Sequence, residues 1–510
     1  MRAGPDPLSR RVRATPDRPA VVEAATGSTL RYDELDGRVR SLAGHLAGLG
    51  LDAGDHLGLL APTSMDSVAL VHATWRLGLR LVPLNVRLAE RELVRQASLA
   101  DLNAVACVRA TAATARSVVD RPVVSIDGPG AEPGDSDAVE GVEPLRSIDP
   151  VEAAPATWRE DDPALAMFTS GTTTEPKAVT LTMGNMTASA ATSAFRLGVL
   201  PSDRWLLCLP VYHMGGLAPV LRSALYGTVL VVQERDGGFD PEAVLTATHE
   251  HGVTGLSLVP TQLDRMLDAD TDLADTVRTV LLGGAPAPQS LIDRCERLGV
   301  PVHPTYGMTE TASQVATATP DQAFSHPGTV GQPLYGTEVT IVDDDFEPLP
   351  AGEAGEVVVS GPTVSPGYYD DPEATDRAVC EHGLRTGDVG RVDEAGRLWV
   401  TGRLDDRIVT GGENVHPASV ADVLRTHPAV ADAAVVGLPD AEWGERVAAL
   451  VVAEAGSGTD VDLDEAALTD YCREHLAGYE VPRTVRFAEA LPRTASGTVD
   501  RTAVRRALEG

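Results

Sequence analysis

Lysine is almost absent from this chain. Lys177 is the single Lys, and the other 41 of the 42 basic residues are Arg. Positive charge is also scarce as a whole, because 74 Asp and Glu leave a net charge of −32. No acidic tail accounts for this excess; carboxylates are spread along the whole sequence. Such a surface repels nucleic acid and anionic membrane, which excludes both as partners. Self-repulsion destabilises the fold at low salt, and concentrated salt screens it. The composition therefore predicts a halophilic protein of a salt-rich cytoplasm; an acidic mesophilic protein from a GC-rich genome is the alternative. The five cysteines, Cys107, Cys208, Cys295, Cys380 and Cys472, are widely separated, with no CxxC pair. That excludes a disulfide scaffold and a thiolate metal site, and suits a reducing compartment. No run reaches the ~20 apolar residues a bilayer span needs, and the first residues lack the apolar core of a signal peptide. A soluble cytoplasmic location follows, and assembly into a homo-oligomer is left open.

What the sequence does contain is an alternation of helical stripes and short apolar strands. Leu35, Val39, Leu42, Leu46 and Leu49 share one helical face, ended by Gly50. HLGLLAP, RWLLCLP, YGTVLVVQ, GVTGLSLVP, TVRTVLLGG and VPVHPTYG are apolar runs of strand length. The pattern predicts an α/β fold: a large N-terminal domain with parallel-rich sheets flanked by helices. Residues 127–161 are acidic and rich in Pro, Gly and Ala, and read as a surface connection. After Gly331, short strands predict a small β subdomain. A final stretch of about 100 residues reads as a small α+β domain. The boundary is placed so that residues 1–403 form the N-terminal domain and residues 404–510 a mobile C-terminal one.

The lone Lys closes the loop TSGTTTEPK, Thr169 to Lys177. Hydroxyls of Thr169, Ser170, Thr172, Thr173 and Thr174, with backbone N–H groups freed by Gly171, can wrap polyphosphate oxygens, and an ammonium reaches into such a cradle as a point charge. The spacing is not the common GxxxxGK[ST] pattern. A solvated turn carrying a surface Lys is the plainer reading of the loop alone. It is followed, however, by LPVYHMGG (Leu209 to Gly216), GGAP (Gly283 to Pro286), YGMTE (Tyr306 to Glu310), LRTGD (Leu384 to Asp388), GRLDDRI (Gly402 to Ile408), GGENVHP (Gly411 to Pro417) and LPRTASGTVDR (Leu491 to Arg501). In this order the chain resembles the adenylate-forming superfamily of acyl-CoA ligases, peptide-synthetase adenylation domains and luciferases, over roughly residues 15–505.

The resemblance implies ATP, Mg²⁺ and coenzyme A as small-molecule partners, and a role for each matching residue. Lys177 and the loop from Thr169 hold phosphates, joined by the Thr309 hydroxyl. Glu310 is the metal ligand, a hard oxygen donor for a hard cation. Gly284, Ala285 and Pro286 approach the adenine, Tyr306 stacks on it, and Gly307 belongs to the same motif. Asp388 accepts the ribose hydroxyls and Arg403 contacts ribose or phosphate. His213 lines the acyl pocket and acts with Lys177, Thr309, Glu310 and Arg403 in catalysis. Asp405 is the hinge, with Asp406 its rival. Gly411, Gly412 and the loop through Trp443, Gly444 and Glu445 line the coenzyme A tunnel. Singly, each has a plainer role as a turn, a cap or a core histidine.

One position departs from the family. Thr498 stands where the superfamily places a catalytic Lys, which leaves a non-turnover nucleotide- or acyl-binding homologue as a second class of function. Arg493 and Arg501 are the cations near enough in sequence to compensate. For the substrate, the stretch Leu209 to Gly227 and GGENVHP resemble o-succinylbenzoate–CoA ligases of menaquinone biosynthesis. There the residue matching Arg222, nine positions after His213, recognises the second carboxylate. Another aryl- or medium-chain acyl-CoA ligase, with Arg222 merely paired on a helix surface, is the competing reading.

Overall fold

The computed structural model describes residues 4–127, 139–169, 176–234, 238–269, 271–415, 417–454, 464–493 and 499–509. These form two compact units, one of residues 1–338 and 359–384, the other of residues 339–358 and 385–510.

The first unit contains two large sheets. One has eight strands, with Arg80–Pro83, His56–Leu60, Ala104–Cys107 and Val123–Ser125 running parallel at its centre. Pro163–Phe168 joins Arg80–Pro83 in parallel and then turns back antiparallel into Ala178–Thr182. The other sheet has nine strands. Val302–Met308, Thr279–Leu282, Gly255–Leu258, Arg204–Leu207, Val229–Val232 and Pro19–Glu23 lie side by side and parallel. Five of these strands are buried along their whole length, which is why they read as unbroken apolar runs rather than alternating ones.

The helix Tyr32–Gly48 buries Leu35, Val39, Leu42 and Leu46, and Gly50 follows it in the left-handed region at φ 88°. The helix Met65–Leu77 is buried almost all round and ends on Gly78 in a left-handed cap. Its Trp75 donates from Nε1 to the Ala164 carbonyl at 3.1 Å, satisfying the one polar atom of a fully buried indole. The acidic stretch expected as a surface connection carries an edge strand, Val142–Pro144, parallel to Val123–Ser125.

The second unit contains strands of two further sheets. Gly383–Val392 pairs antiparallel with Leu398–Arg403 in one. In the other, Val430–Asp440 and Gly444–Ala453 form a long hairpin, with Thr484–Ala488 added in parallel. The helices Pro417–Arg425 and Glu465–His475 contribute Val420, Leu424, Leu468 and Cys472 to its core.

Candidate active site

Parallel strands bring their carboxyl ends to one edge of a sheet, the usual place for ligands in an open α/β sheet. In the nine-stranded sheet this gathers three motifs. Arg204–Leu207 leads into Leu209 to His213, Thr279–Leu282 into Gly283 to Pro286, and Val302–Met308 carries Tyr306 and Gly307 before Thr309 and Glu310. Gly284 turns in the left-handed region at φ 81°. Gly307 lies against the facing strand so closely that a β-carbon there would sit 1.7 Å from the Ser313 carbonyl oxygen. Any side chain at 307 would force the hairpin open.

The segment Thr169 to Lys177 lies between two strands of the eight-stranded sheet. Thr169 N–H donates to the Lys177 carbonyl at 3.2 Å, closing its base. Ser170, Gly171, Thr172, Thr173 and Thr174 lie outside the described residues. Lys177 places its Nζ over the Tyr368 ring, 5.0 Å from the centroid, a cation–π contact. The Tyr368 hydroxyl donates to Glu310 Oε1 at 3.1 Å. The lone ammonium and the buried carboxylate are thus joined through one ring. Tyr368 is held in turn by its strand: Ser365 Oγ donates to the Thr180 carbonyl at 2.7 Å, and Asn185 Nδ2 clamps the Pro362 and Val364 carbonyls at 2.9 and 2.8 Å.

Thr309–Thr311 is a single 3-10 turn rather than the start of a longer helix. It stops because Ala312 takes φ 53° and Ser313 φ 124°, both in the region that favours glycine. Strained backbone of this kind persists where the surroundings over-determine it. Here the Ala312 carbonyl accepts from Ser189 Oγ at 2.8 Å.

His213 is the N-cap residue of the helix Met214–Tyr226, half-buried and edge-on to Tyr212. Burial first, then the charge of Arg87, hold its imidazole below the usual histidine range. The glycines that follow are a packing requirement: a β-carbon on Gly216 would meet the Pro210 oxygen at 2.1 Å. Nine residues further along the helix, roughly 13 Å by its rise, Arg222 is 7% exposed. It lines an apolar pocket with Trp75, Met186, Met214, Leu217 and Leu221. Nη2 donates to Ser313 Oγ at 3.3 Å and Gln314 Oε1 at 3.2 Å, and the buried Nε has no hydrogen-bond partner among the described residues. No carboxylate pairs with it among those residues. Burial pulls the guanidinium below the usual arginine range, with Tyr226 acting against it. A desolvated cation costs free energy unless hydrogen bonds or an opposite charge offset it.

The second unit carries the remaining candidates. Arg403 Nε pairs with Asp388 Oδ1 at 3.2 Å across adjacent strands. Asp405 is exposed in the 3-10 turn Leu404–Asp406, whereas Asp406 pairs with Arg501. Gly411, Gly412 and Gly444 all take positive φ. They meet at one corner, where Gly411 N–H donates to the Trp443 carbonyl at 2.9 Å and Thr410 pairs with Gly444. Thr498 lies outside the described residues.

The AMP-binding enzyme model matches residues 8–369, and the AMP-binding enzyme C-terminal domain matches residues 419–498. The chain belongs to the AMP-binding enzyme family. Within it, the chain is 36% identical over 502 residues to the 2-succinylbenzoate–CoA ligase of Bacillus licheniformis, covering 98% of each. It is also similar to the o-succinylbenzoate CoA synthetase of Bacillus subtilis in complex with the acyl-adenylate intermediate OSB-AMP, with TM-score 0.89, 33% identity and 99% of each chain covered. The same synthetase in complex with ATP and magnesium ion gives TM-score 0.88 and 32% identity over the whole of both chains.

Two features of this AMP-binding enzyme were not legible as motifs. Tyr368 sits in GYYDDPEAT, where nothing in the sequence announces contact with Lys177 or Glu310. Gln314 follows Glu310 by four residues, and only the fold brings it to Arg222.

Proposed function

We propose that this chain is an AMP-forming acid–thiol ligase that activates o-succinylbenzoate and transfers it to coenzyme A, a step of menaquinone biosynthesis. The observation that carries the choice of acid is Arg222, a buried guanidinium held by neutral groups in the lining of an apolar pocket. An acid with a second carboxylate supplies the missing charge; a fatty acid or benzoate strands the cation.

In the first step a carboxylate oxygen of the acid attacks the α-phosphorus of ATP, and pyrophosphate leaves. In the second the thiol sulfur of coenzyme A attacks the acyl carbonyl, and AMP leaves. Lys177, with Thr169 to Thr173, holds phosphate oxygens by charge and hydrogen bonds, helped by Thr309. Gly284, Ala285, Pro286, Tyr306 and Gly307 form the adenine side, while Asp388 and Arg403 take the ribose end. His213 stands at the wall of the acyl pocket. We assign the moving boundary to 403/404, with Asp405 the hinge and Gly411, Gly412 and Gly444 on the coenzyme A path.

Magnesium fits the donors present. Glu310 and the Thr309 hydroxyl are hard oxygens, and no group of three His, Cys, Asp or Glu among the described residues offers a full cage. A single carboxylate suits a cation that takes its other ligands from phosphate and water. When bound, the ion supplies neutralising charge to the polyphosphate. No described helix is long and apolar enough to cross a membrane. With none of the five thiols in a disulfide, we place the enzyme in a reducing, salt-rich cytoplasm.

Pyrophosphate release at multimolar KCl tests the reading, with o-succinylbenzoate, benzoate, cinnamate and medium-chain fatty acids as substrates. The diacid should have the highest kcat/KM, and Arg222→Leu should remove that preference while leaving ATP binding nearly intact. A monocarboxylic acid preferred by wild type and unaffected by Arg222→Leu overturns the choice of acid. ATP binding without pyrophosphate release for any acid favours a non-turnover binder.

A further inference from the structure

Arg222 is held by side chains whose hydrogen bonds have only one consistent direction. A glutamine amide can present either its oxygen or its nitrogen, and the hydroxyls behind Gln314 decide which. Thr305 Oγ1 lies 2.9 Å from the Ala316 carbonyl, which can only accept, so Thr305 gives its proton there. Its lone pairs then accept from Thr317 Oγ1 at 2.8 Å. Thr317, having given its own proton, accepts from Gln314 Nε2 at 2.7 Å. The amide oxygen is thereby turned to Arg222 Nη2. Gln314 is 2% exposed and Thr317 fully buried, so no solvent reshuffles this chain. The strained pair Ala312 and Ser313, pressed against Gly307, delivers Gln314 to this place.

The neutrality of Gln314 matters as much as its orientation. Glu has the same shape, and at 314 it would pair with Arg222 permanently, closing the site to an external anion. We propose that Gln314, oriented by Thr317 and Thr305, is the specificity-determining positioning residue of the acid pocket: it fixes the guanidinium through a neutral oxygen and leaves its charge for the substrate's second carboxylate. This rests on the diacid reading of Arg222. The relay also ends at Thr305, next to Tyr306 and against Gly283, where an added β-carbon would meet Thr305 Cγ2 at 2.7 Å. One polar chain therefore runs from the acid pocket to the proposed adenine side.

The test uses the full-length enzyme at high KCl, with o-succinylbenzoate and the monoester that masks its non-activated carboxylate. Two quantities are measured for each variant: kcat/KM for both acids, and calorimetric affinity for the free diacid without ATP. Gln314→Glu should cost the diacid on the order of 10²-fold in kcat/KM and weaken its binding, while the monoester changes by no more than a few-fold, so that the preference collapses. Thr317→Val, which frees the amide to flip, should raise KM for the diacid with little effect on kcat, and Thr317→Ser should restore it. Gln314→Glu keeping the diacid preference that Arg222→Leu loses overturns the role of Gln314 and leaves the diacid reading standing. Preference kept in both variants means that the diacid reading itself has failed. Should Gln314→Glu not fold, an unchanged diacid-to-monoester ratio in Thr317→Val overturns the proposal.

Discussion

At residue scale the sharpest question is Thr498, where the resemblance calls for Lys. A neutral hydroxyl supplies no charge to the α-phosphate, and losing one transition-state donor typically costs ~10²–10³ in rate. The two arginines expected to compensate are already engaged. Arg493 pairs with Asp432 at 2.8 Å, and Arg501 pairs with Asp406 beside the proposed hinge. Recruiting either one means breaking an ion pair, and an Arg fork does not reproduce a Lys point charge at a tight site. Thr498→Lys should therefore accelerate adenylation, read as pyrophosphate release, by about 10²-fold, and leave thioester formation from preformed acyl-adenylate nearly unchanged. Acceleration confined to the second step contradicts the assignment. Adenylation abolished by Arg501→Ala and indifferent to Thr498→Lys would show that an arginine has taken over. Residues such as Lys177, Glu310 and Arg222 were legible because each is the chemically odd member of a motif or an apolar run. Tyr368 and Gln314 were not, because a tyrosine in a turn-rich segment and a glutamine in a strand carry no local sign of what they touch.

At the scale of elements, the strands that build the site edge were readable because burial on both faces leaves continuous apolar runs. Edge strands such as Val142–Pro144 were hidden, since a strand with one neighbour and a solvated face needs no apolar pattern. The turn at Thr309–Thr311 was hidden for another reason: Ala312 and Ser313 adopt a conformation their side chains disfavour, imposed by tertiary packing. The buried helix Met65–Leu77 carries its own testable consequence. Its His72 is 2% exposed, edge-on to Trp75, and burial pushes the imidazole down to about 4, with Asp6 opposing and Arg76 adding to the shift. Unfolded, the same histidine titrates near 6.5. Between those values the unfolded chain binds a proton that the folded one refuses, so stability is full above about 6.5 and falls as the pH drops toward 4. The loss approaches ~1.4 kcal/mol per pH unit and about 3 kcal/mol in all. His72→Leu, close in volume, should flatten the stability difference between pH 7 and pH 5 relative to wild type in urea unfolding at fixed salt. Identical slopes for the two proteins would remove His72 as a contributor.

At the scale of the whole molecule, the net charge of −32 governs the conditions in which any of this chemistry runs. Several of the ion pairs are largely exposed, such as Arg31 with Asp33 and Arg473 with Asp470, and pairs of that kind contribute little. With 74 acidic residues against 42 basic ones, an excess of 32 carboxylates has no cation to meet, and their mutual repulsion reaches about 8 Å at physiological ionic strength. At 1 M salt that reach shrinks to about 3 Å, so repulsion between non-adjacent carboxylates largely disappears. Buried pairs are screened far less. Arg76, held by Asp6 at 2.8 Å and Asp36 at 2.6 Å beneath the first-unit surface, should survive the same salt. Thermal unfolding should therefore move upward continuously from 0.1 M to 3 M KCl, with pyrophosphate release rising over the same range. Sucrose at matched osmolality separates the causes: it strengthens burial without screening charge, so it should reproduce only part of the shift. Stability and activity that peak near 0.1 M KCl and decline beyond would assign the acidity to an ordinary mesophilic protein, and the salt-rich setting would be lost with it.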